Sequence, residues 1–154
     1  MTDEDLRLRK TSAADLEIVL HHRREMFREM KSTGDFAKAE ALSRDFFGRA
    51  LAEGNYHGWF YQDASGNVAA GGGIILVEYH PSPPDARPRR PWVVNVYTEH
   101  AWRRRGLARQ LMDAMVEWSR AEGYSNLFLH SSEEGRPLYQ SLGFAPTNEM
   151  RLKL

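Results

Sequence analysis

The residues best suited to chemistry in this chain form a run of arginines that ends in small residues, Arg103-Arg104-Arg105-Gly106-Leu107-Ala108. Guanidinium groups are planar, permanently charged and matched to phosphate oxygens. The run follows an apolar, strand-like segment from Trp92 to Thr98 and opens a long amphipathic helix. A helix start presents backbone N–H groups that have no intrahelical acceptor, and the aligned peptide dipoles add partial positive charge there. Phosphates bind at such points, and Gly106 with Ala108 would let one approach the main chain closely. Taken alone, an arginine triplet describes a solvated face equally well. Tyr139 by itself reads as a core tyrosine with its hydroxyl satisfied at the surface.

Other chemistries are excluded or lack support. The chain has no cysteine, which removes disulfides, thiolate metal ligands and a cysteinyl acyl-enzyme. It also has no Gly-x-Ser-x-Gly elbow to present a serine nucleophile. His21, His22, His57, His80, His100 and His130 show no zinc spacing, so no metal is expected. The formal charge is +0, which argues against bulk attraction to nucleic acid or membrane despite the local patches Arg87 to Arg90 and Arg103 to Arg105. No stretch approaches the roughly 20 apolar residues of a membrane span. The opening Met-Thr-Asp-Glu-Asp is acidic rather than signal-like, so a cytoplasmic protein is expected.

A length of 154 residues with 42% hydrophobic content suits one domain, residues 1–154. Leu6 to Arg9 alternate as a short strand. Thr11 or Ser12 followed by Asp15 can start a helix towards Lys31 with Leu16, Leu20, Phe27 and Met30 at helical spacing. A second helix runs from about Asp35 to Ala52 with Phe36, Leu42, Phe46 and Leu51 on its stripe and Gly54 as its stop. Trp59 to Gln62 and Val68 to Tyr79 read as a hairpin around Asp63-Ala64-Ser65-Gly66-Asn67. Gly71-Gly72-Gly73 lies inside the second of these strands, where a bulge or close approach by another backbone explains it better than phosphate binding.

The Pro- and Arg-rich stretch His80 to Pro91 reads as a loop, and Trp92 to Thr98 as the next strand. The helix after it carries Leu107, Leu111, Ala114, Trp118 and Ala121 and stops at Gly123. Asn126 to His130 reads as a strand, Arg136 to Leu142 as a short helix closed by Gly143, and Phe144 to Leu154 as a last strand. The order predicts a mixed α/β fold with a mostly antiparallel central sheet flanked by helices.

Two segments together resemble the GCN5-related N-acetyltransferases. Val93-Val94-Asn95-Val96-Tyr97-Thr98 leading into Arg103-x-x-Gly106-x-Ala108 looks like that family's strand followed by Q/R-x-x-G-x-G/A. Pro137-Leu138-Tyr139-Gln140-Ser141-Leu142-Gly143-Phe144 looks like its tyrosine helix ending in glycine-phenylalanine. The resemblance implies transfer of an acetyl group from acetyl-CoA directly to an amine. It implies that the backbone at Val96, Tyr97 and Thr98 pairs with the pantetheine arm. It further implies that main-chain N–H groups of Arg104, Arg105, Gly106, Leu107 and Ala108 hold the pyrophosphate, with Arg103 flanking it and Arg109 close to the phosphates. Tyr139 would stand by the sulfur and stabilise the departing thiolate as a positioned donor. Seven residues before it, where the family often has asparagine, stands Ser132, which can contact the coenzyme or cap the following helix.

Glu99 and His130 lie at strand ends near the implied site and are the candidate general bases, with an exposed carboxylate and a strand-ending histidine as their plainer readings. Arg23 falls on the apolar stripe of the first helix, where it either snorkels from the stripe's edge or meets an acidic acceptor. A small-molecule or peptide amine is the expected partner. A homodimer is compatible with the sequence and supported by no residue in it. The competing reading is a non-catalytic acyl-CoA-binding module that kept the cradle.

Overall fold

One five-stranded sheet in the order β1-β2-β3-β4-β5 organises the computed structural model, which describes residues 6–154. Its strands are β1 (Arg7–Lys10), β2 (Tyr56–Gln62), β3 (Val68–Glu78), β4 (Arg89–Thr98) and β5 (Phe128–Leu129). The first four pair antiparallel and β5 joins β4 in parallel. Four helices accompany them: α1 (Leu16–Glu29), α2 (Phe36–Ala52), α3 (Leu107–Ala121) and α4 (Arg136–Ser141). The mixed, mostly antiparallel sheet is the one the element order predicts. Among the described residues no helix is long and apolar enough to cross a membrane.

The sheet is covered on both faces. α1 and α2 pack Val19, Leu20, Phe47 and Ala50 against Tyr56, Phe60 and Ile75. α3 packs Leu111, Met112 and Met115, all at 0% exposure, against Trp59, Ile74 and Val93. Local chemistry starts these helices where the sequence indicates. The Asp35 side chain accepts from the Lys38 N–H, and Gly106 at φ +77° precedes α3 in a conformation glycine adopts without steric cost. Asp15 accepts from the Ser12 N–H and from Arg9, which ties β1 to the start of α1.

The apolar stripes match their sequence assignments in part. On α3, Leu107 and Leu111 are buried and Ala114 and Trp118 pack against the core as expected, while the buried line also takes in Met112, Met115 and Ser119 and Ala121 is exposed. On α2, Phe36, Leu42 and Phe46 remain exposed and Phe47 and Ala50 are buried. On α1, Met30 is exposed and His22 is buried. Where apolar residues occupy two neighbouring helical registers, periodicity alone does not choose which one meets the sheet.

The expected strand from Phe144 to Leu154 is not formed, and Met150, Leu152 and Leu154 are exposed. The reason is the shortness of β5. Two residues leave no ladder long enough for an eleven-residue neighbour to pair against.

The glycine run explains how β3 fits between aromatic layers. A Cβ on Gly71 would stand 2.5 Å from Phe60, one on Gly72 would stand 2.9 Å from Met115, and one on Gly73 would overlap the Tyr56 ring. Side chains rather than a second backbone crowd this space, and the β3–β4 register shifts between Gly71 and Gly73, the irregularity expected at this run. Gly73→Ala should therefore destabilise the protein by about 1–3 kcal/mol through overpacking. Gly48→Ala in α2, where the nearest atom is an ordinary 3.6 Å away, should leave stability unchanged or raise it. Parallel urea titrations of the two variants check this.

Candidate active site

A break in strand pairing creates the site. β5 pairs with β4 only at Trp92 and Val93, so from Val94 to Thr98 that edge of β4 has no strand beside it. At the same level Gly71 pairs with Tyr97 and Gly73 with Val94, which leaves one residue of β3 facing Asn95 and Val96 of β4. Asn95 adopts φ +60° at this bulge. Asparagine tolerates the left-handed region better than the valines around it. The lone Asn within Val-Val-Asn-Val was the sequence signal for the bulge. The open edge forms one wall of a cleft of about 1120 Å³.

The arginine run closes one end of this cleft. Arg104 at φ +61° and Gly106 at φ +77° turn the chain into α3. No backbone acceptor among the described residues receives the N–H groups of Arg104, Gly106, Leu107, Ala108 or Arg109, and the first α3 bond runs from the Gln110 N–H to the Gly106 carbonyl. All five residues line the cleft. An arc of open N–H donors at the positive end of a 15-residue helix, with two arginine side chains beside it, fits a phosphate or pyrophosphate.

The three arginines of the triplet differ in placement. Arg103 lines the cleft but is already engaged: its Nη2 donates to Glu29 Oε1 at 2.6 Å and its Nε to the Thr98 carbonyl at 2.9 Å. Glu29 Oε1 also faces His100 Nε2 at 3.0 Å and accepts from the Tyr97 hydroxyl at 3.3 Å. Arg103 thus braces α1 against the end of β4. The Arg105 guanidinium stacks 4.8 Å over Trp102, away from the cleft lining. Only Arg104 has its side chain along the cleft with no bond to another described side chain. Arg109 reaches across to the Ser141 hydroxyl of α4. Glu29 has no distinguishing sequence motif, and only the packing of α1 brings it here.

Val96, Tyr97 and Thr98 line the open edge, and Tyr139 stands on α4 across from them. Gly135 makes room for the Tyr139 ring, since a Cβ there would lie 2.8 Å from it. The Tyr139 hydroxyl has no hydrogen-bond partner among the described residues. Burial raises its pKa above the ordinary 10.0, so it is a proton-bearing donor at neutral pH. Ser132 Oγ accepts from the Gly135 N–H at 3.1 Å, a capping contact, and the residue also lines the cleft.

The two candidate bases separate. Glu99 accepts from His21 at 2.7 Å and is not part of the cleft wall. His130 lines the cleft, exposed, with its ring tilted against Trp92. His22, adjacent to Glu99, is buried and neutral at pH 7, its pKa pushed down to about 4 by desolvation. Arg23 lines the cleft and donates to Asn95 Oδ1 at 3.0 Å. Among the described residues no group of three or more His, Asp or Glu side chains could hold a metal ion.

The open β4 edge, the bulge and the α3 N-terminus share one cleft, and comparison with known proteins assigns the fold that carries it to a family. A profile of the acetyltransferase (GNAT) family matches residues 16–144, and the chain belongs to that family. A GCN5-related N-acetyltransferase from Ralstonia eutropha is 32% identical, with 97% of this chain and 98% of that one aligned at a TM-score of 0.84. A predicted acetyltransferase from Clostridium acetobutylicum, solved with acetyl-CoA, is 22% identical and superposes with a TM-score of 0.87 over 97% of this chain and 95% of its own. The glucosamine-6-phosphate N-acetyltransferase of Arabidopsis thaliana shares the fold at 14% identity and a TM-score of 0.68, over 97% of each chain. No protein of curated function matches.

The Arg103 hydrogen bond holds the Glu29 carboxyl below its ordinary 4.5. A carboxyl lowered in the folded state contributes stability above its unfolded value, and that contribution is lost as pH falls through the lower folded value. Glu29→Gln should flatten the acid limb of the melting temperature below pH 4.5, measured by thermal unfolding across pH.

Proposed function

We propose that the chain is one N-acetyltransferase domain that carries an acetyl group from acetyl-CoA directly to an amine. The observation that carries this reading is that five N–H groups without backbone acceptors among the described residues share one cleft with the open β4 edge and with a Tyr139 hydroxyl that has no partner among those residues. Bound acetyl-CoA supplies an activated thioester. The N–H groups of Arg104, Gly106, Leu107, Ala108 and Arg109 would hold its pyrophosphate, with the side chains of Arg104 and Arg109 adding charge. The Val96–Thr98 edge would pair with the amide-rich arm as an added strand does.

Arg103 takes a different part from the flanking contact the family resemblance implies. Bound to Glu29 and the Thr98 carbonyl, it keeps α1 beside β4 and so fixes the width of the cleft. Ser132 serves the α4 turn first and faces the coenzyme second.

A main-chain N–H at the open edge can stabilise the negative charge that develops on the carbonyl oxygen during attack. Tyr139 would donate a hydrogen bond to the thiolate as it leaves. A tyrosine near pKa 10 facing a thiol near 8.5 is uphill for full proton transfer by about 2 kcal/mol, so the proton that finally neutralises the thiolate originates on the amine. An alkylammonium must lose that proton before attack, and of the two candidate bases His130 is the one on the cleft wall.

Release of coenzyme A thiol from acetyl-CoA that depends on an added amine tests the function. Stabilisation by coenzyme A without amine-dependent release would mark a binding module instead. Tyr139→Phe should lower kcat by about tenfold or more, the scale of losing a hydrogen bond to a charged group, with little change in coenzyme affinity. Since burial raises the Tyr139 pKa above 10.0, deprotonation of this residue should not reduce kcat below that pH. A decline below pH 10 that is present in the wild type and absent in Tyr139→Phe would contradict the assignment.

A further inference from the structure

Arg23 is a cation with no counter-ion among the described residues. Its neighbours on α1 are neutralised, Arg24 by Glu40 at 2.8 Å and Arg28 by Glu25 at 2.8 Å. Arg23 has no carboxylate within ion-pair distance among the described residues. Its Nε donates to Ser43 Oγ at 3.3 Å and its Nη1 to Asn95 Oδ1 at 3.0 Å, and Nη2 has no acceptor among them. The rings of Phe27 and Phe47 lie 4.8 and 5.1 Å from the guanidinium carbon. Beside it, Asn95 Nδ2 is buried and makes no hydrogen bond of normal geometry, with the buried Tyr56 hydroxyl close to both Asn95 and Arg23.

Simple snorkelling does not account for this arrangement. A snorkelling arginine buries its stem and keeps its head in water, whereas this head sits between aromatic rings. Burial lowers its pKa from the ordinary value. Arg23 is half-buried; a charge drawn partly out of water without an ion pair is costly, and a bidentate fork left partly open is suited to a planar anion.

The location supplies the meaning. Asn95 is the bulge residue of β4, so the Arg23 fork ends where the strand edge opens into the cleft. Arg23 also forms part of the wall of a second cavity of about 240 Å³ between α1 and α2, lined in its apolar part by Leu20, Phe27, Phe36 and Ala39. That volume is below the usual range for a drug-sized ligand and suits a small side chain.

We propose that the acceptor is an amino acid whose carboxylate is received by Arg23 and the Asn95 amide, with its side chain lodged in the α1–α2 cavity. This inference rests on the acetyltransferase reading and narrows it to one substrate class, in which the carboxylate supplies the charge that Arg23 lacks and orients the neighbouring amine towards the open edge of β4. Polyamines and aminoglycosides, which bring only cations, would meet an unpaired guanidinium at this point.

The test measures coenzyme A thiol release with the proteinogenic L-amino acids and with their carboxamides, which keep amine and side chain and lose only the anion. The carboxamides carry the less basic amine, so a preference for the acids runs against the supply of free nucleophile. Wild-type kcat/KM should favour one or more acids over the matched amides by about tenfold or more, the scale of a charge-assisted hydrogen bond. R23Q should bring the acid down to the level of its amide. R23K, a point charge without the fork, should fall between. Stabilisation by coenzyme A, measured on each variant by thermal shift, reports separately on folding and the donor site.

Amides used as well as acids, or a loss in R23Q equal for both, would overturn the inference. So would turnover of spermidine or kanamycin with neither series consumed, which leaves acetyl transfer standing. No release with any amine and no stabilisation by coenzyme A would remove the acetyltransferase reading along with it.

Discussion

The cleft exists because β4 is paired fully on one edge and only briefly on the other. Backbone N–H and C=O groups need partners, and along most of a sheet the neighbouring strand supplies them. Here β5 supplies them only at Trp92 and Val93, and the bulge at Asn95 and Val96 turns the chain at the point where pairing stops. The strand therefore ends with an edge left unpaired on the side that β5 abandons.

That geometry is held by packing on both faces. Gly71, Gly72 and Gly73 let the rings of Phe60 and Tyr56 and the thioether of Met115 close on β3, which fixes the partner against which β4 bulges. On one face α1 is pinned to the end of β4 by Glu29 with Arg103, and by His21 with Glu99. On the other, α3 buries Leu111, Met112 and Met115 under the sheet, so its N-terminus is fixed at the mouth of the cleft. The same residues that stabilise the core thus aim the helix dipole and its open N–H groups.

Charge is handled differently at the two ends of the cleft. At the α3 end Arg104 and Arg109 have no carboxylate within ion-pair distance among the described residues, whereas Arg103 is withdrawn into a structural bridge with Glu29. At the α1 end a single guanidinium is flanked by aromatic rings and by amide and hydroxyl groups, with no carboxylate within ion-pair distance among the described residues. Surface arginines on the same helix pair with glutamates that cost little to bring close. Arg23 departs from them in its surroundings rather than in its type.

The chain itself determined the order of elements up to α4, the start of α2 at Asp35, the turn into α3 and the two motifs that identify the family. Each depends on residues within a few positions of one another: a side chain capping its own helix, a glycine with positive φ, an alternation of apolar residues. What the chain did not reveal depends on long-range contact. Periodicity placed apolar stripes on α1, α2 and α3 but not the rotation that buries Met112 and Phe47 while leaving Phe46 exposed. The alternation of Phe144 to Leu154 reads as a strand, yet a strand forms only where another edge receives it, and the two-residue β5 does not. Arg103 reads as a phosphate ligand until α1 brings Glu29 to it from 74 positions away. Local sequence sets which conformations are favourable. Only the tertiary structure decides which charges meet and which edge stays open, because those outcomes depend on partners that are distant along the chain.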